Sequence, residues 1–303
     1  MKSKYPYYIL LCCLLVVVPA CGKGLFYFTT INKSVCLMLF SPCQRNLAYG
    51  PQPLQNLDIY MPSGSSTDKR PVLIFIHGGA WRYGDKAYEA AVLTPYLEQG
   101  MVGVMINYRL VPQSTFPDQS NDCLLALQWV YNNIEQFGGD RDNLHLVGHS
   151  AGAYLAVLAA VQSRRLQELG IPCGSIRSCT GLSGIYDLAW QYEDWLLKIV
   201  RDFAGDQKSK QEASPLSLIS SAALHPCGSF LIVSGSNDID GSAIQSRIFC
   251  EMLKVKGVQA RFLLMAGTDH TGVLQSMGEK GSIVFNEMIN FINSNAPRLH
   301  DGT

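Results

Sequence analysis

"LHLVGHSAGAYLA", Leu144 to Ala156, decides how the chain is read. Its first half is an apolar run suited to a buried strand and its second half is rich in helix formers. Between them Gly148, His149, Ser150, Ala151 and Gly152 spell the pattern GxSxG. A serine at a sharp strand-to-helix turn projects its hydroxyl above a sheet, and glycines two residues to either side let strand and helix approach closely. The start of the helix adds a favourable backbone dipole. As a bare string the pattern is weak, since glycine and serine are common turn formers; its place between strand and helix makes Ser150 a candidate nucleophile.

A serine hydroxyl is a poor nucleophile at its free pKa, so the chain must also supply a base and a residue that orients it. In this arrangement they follow in the order serine, acid, histidine. Of the six histidines, only His270 and His300 come after both Ser150 and the apolar run Phe230 to Gly235, and His300 lies in the tail. His270, just past the run Arg261 to Ala266, is the expected base. The loop "SGSNDIDGS" offers Asp238 and Asp240, of which Asp238 is the first acid beyond the strand and the expected orienter, with Asp240 in reserve. Asp269, adjacent to His270, has difficulty reaching round to the imidazole and reads as a solvated loop acid.

Attack on a carbonyl builds an oxyanion that needs about two preorganised N–H donors, each worth roughly 3 kcal/mol of barrier. One is the amide of Ala151, directly after the nucleophile. The other must come from the loop after an earlier strand, where "LIFIHGGAWRYGDK" leaves an apolar run through bare glycines at Gly78 and Gly79. Trp81 either borders the substrate pocket or anchors this loop to the core, and His149, beside the nucleophile, is a second expected pocket residue.

From Gln55 onward short apolar runs alternate with helical stretches, the pattern of a mostly parallel sheet with helices on both faces. The expected strands are residues 57–61, 72–77, 102–108, 144–148, 178–184, 230–235 and 261–266, apolar throughout as buried parallel strands are. Helices are expected over 85–99, 151–169, 243–255 and 283–293, and between Ser120 and Gly138, where apolar residues recur at i, i+3, i+4, i+7. Residues 187–214, with Trp190, Tyr192 and Trp195 among charges, read either as a cap over the site or as core filler.

The chain has 303 residues, 48% hydrophobic and 16% charged, enough for one large core. Lys plus Arg balance Asp plus Glu at 24 each, so no field or basic arm favours nucleic acid. Residues 1–21 have the layout of a secretory signal: two lysines, an apolar core from Tyr8 to Val18 and a small residue before Cys21. "VVPAC" resembles a bacterial lipobox, which makes Cys21 a lipidation site in an exported, envelope-associated protein; an uncleaved membrane anchor is the alternative. Residues 22–54 read as a lead-in segment, 55–297 as the catalytic domain and 298–303 as a tail. The ten cysteines include no CxxC pair, so no metal site is expected. The expected disulfides are one or two at most, from the pairs Cys36–Cys43 and Cys173–Cys179.

"HGGAW", "INYRLVPQSTFPDQSND", "FGGDRDNLHLVGHSAGAYLA", "GSNDIDG" and "DHTG" together resemble α/β-hydrolase esterases of the hormone-sensitive-lipase-like type. The likeness covers nearly everything after Leu57. "HGGAW" is also similar to the HGGxW motif of kynurenine formamidases, and the segments around Ser150 to those of isoprenylcysteine methylesterases and small bacterial carboxylesterases. The resemblance implies an α/β-hydrolase fold with a small cap, Ser150, Asp238 and His270 as triad, and Gly78, Gly79 and Ala151 as oxyanion donors, with no cofactor. Arg109 and Asp122 resemble a structural pair. The expected function is serine carboxylesterase acting on a small ester; arylformamidase on a formamide, or a silent hydrolase fold that only binds, are the alternatives. The export-type leader departs from the formamidases.

Overall fold

The apolar runs become neighbouring strands because pairing in a covered sheet buries their side chains; the run 261–266, expected as a buried strand, instead forms a largely exposed edge strand. The computed structural model describes residues 41–64, 66, 68–220 and 225–297. One sheet contains β1 (Cys43–Ala48), β2 (Asn56–Tyr60), β3 (Arg70–Ile76), β4 (Val102–Ile106), β5 (Gly139–His149), β6 (Ile176–Leu182), β7 (Ser229–Asn237) and β8 (Ala260–Asp269). Their order is β1-β2-β4-β3-β5-β6-β7-β8. The β1/β2 and β2/β4 pairs are antiparallel and all the others parallel.

Helices cover both faces, as the alternation of runs predicts: α1 (Thr94–Glu98), α2 (Asp118–Asn133), α3 (Ala151–Val161), α4 (Ser163–Glu168), α5 (Asp194–Ala204), α6 (Gln207–Ala213), α7 (Pro215–Ser220), α8 (Ser242–Val255), α9 (His270–Gly278) and α10 (Ile283–Asn295). Alternate residues of β3 feed two cores. Ile74 and Ile76 pack with Leu127 of α2, Leu155 of α3 and Phe249 of α8. Leu73 and Phe75 pack with Tyr96 of α1, Val273 of α9 and Phe285 of α10. Each such fully buried aliphatic side chain contributes roughly 1.5–3 kcal/mol. All of α3 is buried, so the helix carrying the residue after Ser150 is fixed along its whole length.

Several expectations are corrected. The sheet begins at β1, inside the expected lead-in segment; its sequence CQRNLA shows no apolar period because most of it faces solvent. Residues 85–99 do not form one helix. Asp85 and Lys86 are bound to Asn107 instead, and a short 3-10 turn (Ala90–Leu93) precedes α1. The stretch 151–169 is two helices, because Gln162 leaves helical geometry with ψ 47°. Helix α2 starts at Asp118, two residues before the expected start at Ser120. Cys173 is bonded to Cys227, not to Cys179. Cys179 lies inside β6, in register between Leu146 and Phe230, buried and free. Cys43 is free; Cys36, Cys21, the leader and the tail with His300 lie outside the described residues. No helix among the described residues is long and apolar enough to cross a membrane.

Candidate active site

After β3 the chain crosses to β4 on one side, and then to β5 on the other, so the loops leaving β3 and β5 part around a crevice at the carboxyl ends of the strands. Such switch points are where open α/β sheets bind ligands. The register pairs Ile76 with Gly148, which brings the glycines after β3 against the turn after β5. A Cβ on Gly78 would stand 3.3 Å from the Ser150 Cβ and 3.1 Å from the His149 carbonyl. Gly152 lies so close to β3 that a Cβ would meet the Ile76 carbonyl at 2.0 Å. The two motifs need bare backbone for the same reason, which is that each packs against the other.

Backbone strain is concentrated here. Among the described residues five non-glycine residues have positive φ. Four of them, Ala80 (55°), Trp81 (55°), Ser150 (56°) and Ser183 (54°), line a single pocket. A left-handed conformation costs roughly 1–3 kcal/mol outside glycine and persists only where surrounding structure imposes it. Ser150 has ψ −120°, and its amide is tied to the Leu182 carbonyl at 2.8 Å, which holds the turn above β6.

The acid and the histidine arrive from the other side. His270 opens α9 directly after β8, and its Nδ1 lies 2.6 Å from Asp238 Oδ1. Asp238 Oδ1 also accepts the Ile239 amide at 2.7 Å, and Oδ2 accepts the Gly235 amide and the Ser234 hydroxyl, both at 3.2 Å. Burial alone raises this carboxyl's pKa; the hydrogen bonds from His270, Ser183 and Ile239 outweigh it and bring it down to about 2. Asp238 is therefore an anion at neutral pH, an acceptor for a proton on His270 Nδ1. Asp240 is exposed, and Asp269 caps α9 by accepting the Gly272 amide at 2.8 Å.

The amide of Gly78 is already engaged, donating to Glu89 Oε2 at 3.3 Å. Those of Gly79, Ala80 and Ala151 donate to no acceptor among the described residues. Gly79 takes φ +112°, and Ala80 and Ala151 line the pocket with Ser150. Ala80 was not singled out in the sequence, because only its backbone angle marks it.

Trp81 does both things expected of it. It lines the pocket and stacks on Phe203 at 4.2 Å, with an edge contact to Tyr154 at 5.3 Å. Residues 187–214 likewise serve both purposes: Val200 and Phe203 of α5 are core, while Trp195, Leu196 and Ile199 wall the pocket with Ile185 and Ile239. An ion pair between Arg82 and Asp202 at 2.8 Å ties α5 to the loop after β3. His149 is not among the pocket-lining residues. It is 6% exposed, with Nε2 3.1 Å from the His270 carbonyl and its ring 4.8 Å from that of His270. Arg109 and Asp122 form the structural pair, with Arg109 Nη2 and Nε at 2.7 and 2.8 Å from the two carboxylate oxygens.

Reasoning from sequence missed two further residues. Ser183 places its hydroxyl 3.5 Å from the His270 carbonyl and beside Asp238. Glu89 faces His149 across 3.8 Å. Neither belongs to a motif.

The strand order, the turn after β5, and the acid and histidine after β7 and β8 are those of an α/β hydrolase. Solved structures agree: inhibited esterase B from Lactobacillus rhamnosis superposes with TM-score 0.72 at 22% identity, covering 89% of this chain and 94% of that one. The Pyrobaculum calidifontis esterase gives TM-score 0.70 at 18% identity, covering 96% and 99%. The chain belongs to the BD-FAE family, whose model matches residues 57–253. Relatives include the isoprenylcysteine alpha-carbonyl methylesterase ICME of Arabidopsis thaliana, 30% identical over 241 residues (75% of this chain, 56% of the relative). Esterase LipC of Mycobacterium tuberculosis is 32% identical over 242 residues (75% and 59%). The chain thus spans somewhat over half the length of these curated relatives.

Proposed function

We propose that the protein is a serine carboxylesterase working through an acyl-enzyme. The observation that carries this reading is the 2.6 Å Asp238–His270 bond, in a chain whose pocket is lined by the strained Ser150 and whose relatives bear esterase names. His270 Nε2 takes the proton from Ser150 as its oxygen attacks the ester carbonyl, and the carbonyl electrons move onto oxygen. The amides of Gly79, Ala80 and Ala151 receive that oxyanion, so Ala80 replaces Gly78 in the expected donor set. His270 then gives its proton to the departing alcohol, and in the second half activates water to release the acid.

Apart from the two serine hydroxyls and the indole N–H groups of Trp81 and Trp195, the side chains lining the pocket are apolar and none is charged, which favours an aliphatic or lipophilic ester over a formamide bearing an ionised amino-acid group. Turnover on acetyl and butyryl p-nitrophenyl esters is expected to exceed that on N-formylkynurenine, and to vanish in Ser150→Ala. A strong preference for the formamide contradicts the reading in favour of arylformamidase. For residues 1–21 we propose export with lipidation at Cys21, a reading supported by the Cys173–Cys227 bond, of a kind that persists in oxidising compartments. Cys21→Ala is expected to release the protein from the membrane fraction.

A further inference from the structure

In the loop after β3, Ala80 and Trp81 follow one another in left-handed backbone, each with φ 55°. For a side chain as bulky as tryptophan this is a true outlier, kept only because its surroundings impose it. The amides of Arg82 and Tyr83 donate to the Gly79 carbonyl at 3.0 and 2.8 Å, and the Trp81 carbonyl accepts the Val111 amide at 2.9 Å. What this strain secures is the place of the indole ring, stacked on Phe203 and bordering the pocket that holds Ser150.

Packing alone does not account for the residue. A phenylalanine has the flat apolar face that the stack needs, whereas tryptophan adds an N–H that is unfavourable to bury unpaired and that normally finds a partner. Trp81 is 2% exposed, and its buried Nε1 has no hydrogen-bond acceptor among the described residues. Trp195, which also lines the pocket, donates its N–H to Glu193 Oε2 at 2.7 Å, so the other indole is satisfied. A water held at Trp81 Nε1 would need about two to four polar partners. Besides the two indoles, the side chains lining the pocket offer only the hydroxyls of Ser150 and Ser183. The ring borders the pocket, so a molecule that fills the pocket can bring the missing acceptor.

We propose that the Trp81 indole N–H is a substrate-recognition donor, which hydrogen-bonds an ether, keto or ester oxygen in the part of the substrate lodged in the pocket. The favoured substrate is then a largely aliphatic ester whose chain is interrupted by one such oxygen. The apolar walls of Ile185, Leu196, Ile199 and Ile239 receive the hydrocarbon on either side of it. Trp81 directly follows Ala80, whose amide belongs to the proposed oxyanion set, so recognition and the reacting carbonyl are held by one strained loop. An all-carbon chain leaves the N–H unpaired, and a site built to hydrogen-bond its substrate discriminates against the analogue that lacks the partner. This deepens the carboxylesterase reading and rests on it.

The test uses isosteric pairs in which one methylene is exchanged for an ether oxygen. On the acyl side these are p-nitrophenyl pentanoate and p-nitrophenyl β-methoxypropanoate; on the alcohol side, pentyl acetate and ethoxyethyl acetate. In the wild type, kcat/KM divided by the hydroxide rate of the same ester is expected to favour the ether member of one pair by about 10-fold. Trp81→Phe, which keeps the stacking ring and removes the N–H, is expected to bring that ratio close to one. A wild-type ratio near one in both pairs overturns the proposal whether or not the variant folds, and so does a preference that a folded Trp81→Phe retains. A second arm reads binding without turnover. In ¹⁵N-indole-labelled Ser150→Ala, the Trp81 N–H signal, assigned by its loss on adding Trp81→Phe, is expected to move downfield with the ether member more than with its all-carbon isostere. Equal shifts in both pairs overturn the donor. A wild type that cleaves none of the four esters overturns the carboxylesterase reading instead, while the indole signal still decides the donor.

Discussion

Asp122 and Asp238 are two carboxylates withdrawn almost wholly from water, with side chains 0% and 1% exposed, and they are surrounded in similar ways. Asp122 accepts from the Arg109 guanidinium and amide and from Gln55; Asp238 accepts from His270, two backbone amides and a serine. The difference is the partner. A guanidinium cannot release its proton, so Asp122 and Arg109 are a bolt joining α2 to the loop after β4. An imidazole exchanges protons near neutral pH, so the same kind of burial and bonding gives Asp238 and His270 the arrangement that the proposed esterase needs for its base.

Breaking each carboxylate in turn should separate these roles. Asp238→Asn is expected to reduce kcat by about 10,000-fold, through loss of the correct imidazole tautomer, with a modest change in melting temperature. Asp122→Ala should do the reverse. It leaves Arg109 and Gln55 with unpaired donors and is expected to cost about 3–5 kcal/mol in denaturant unfolding, while the kcat of the folded fraction stays near wild type. Reducing Cys173–Cys227, which spans 54 residues, should cost about 4 kcal/mol and leave kcat unchanged; a fall in kcat would mean that the ends of β6 and β7 away from the site reach the chemistry.

The smallest effect is on acid stability. Because folding lowers the Asp238 pKa to about 2, the group adds stability above its unfolded pKa near 3.8, and that contribution is lost as pH falls toward 2. The stability gap between wild type and Asp238→Asn should therefore narrow from pH 5 to pH 2, as followed by urea unfolding.

What was legible in the sequence is what repeats or has a fixed spacing. Strands β2 to β7 were visible because burial demands apolar runs, and β8, largely exposed at the other edge of the sheet, because its run is apolar all the same; Ser150, Asp238 and His270 were visible because each follows such a run. The edge strand β1 was not, since an exposed antiparallel strand needs no apolar residues. Glu89, Ala80 and Ser183 are marked only by a spatial approach or a backbone angle, which no residue type announces. The disulfide followed the sheet: Ser178 and Ser229 are in register on β6 and β7, so Cys173 and Cys227, which precede them, emerge together. His149 was expected at the pocket from its place beside Ser150, yet Ser150 lines the pocket while the buried His149 ring lies against the His270 carbonyl instead.

The most direct test of the central claim is labelling of the intact protein with a fluorophosphonate probe followed by peptide mapping. The account predicts one stoichiometric adduct on Ser150, abolished in Ser150→Ala and slowed strongly in Asp238→Asn. A correctly folded protein that takes up no label, or takes it at another residue, would contradict it.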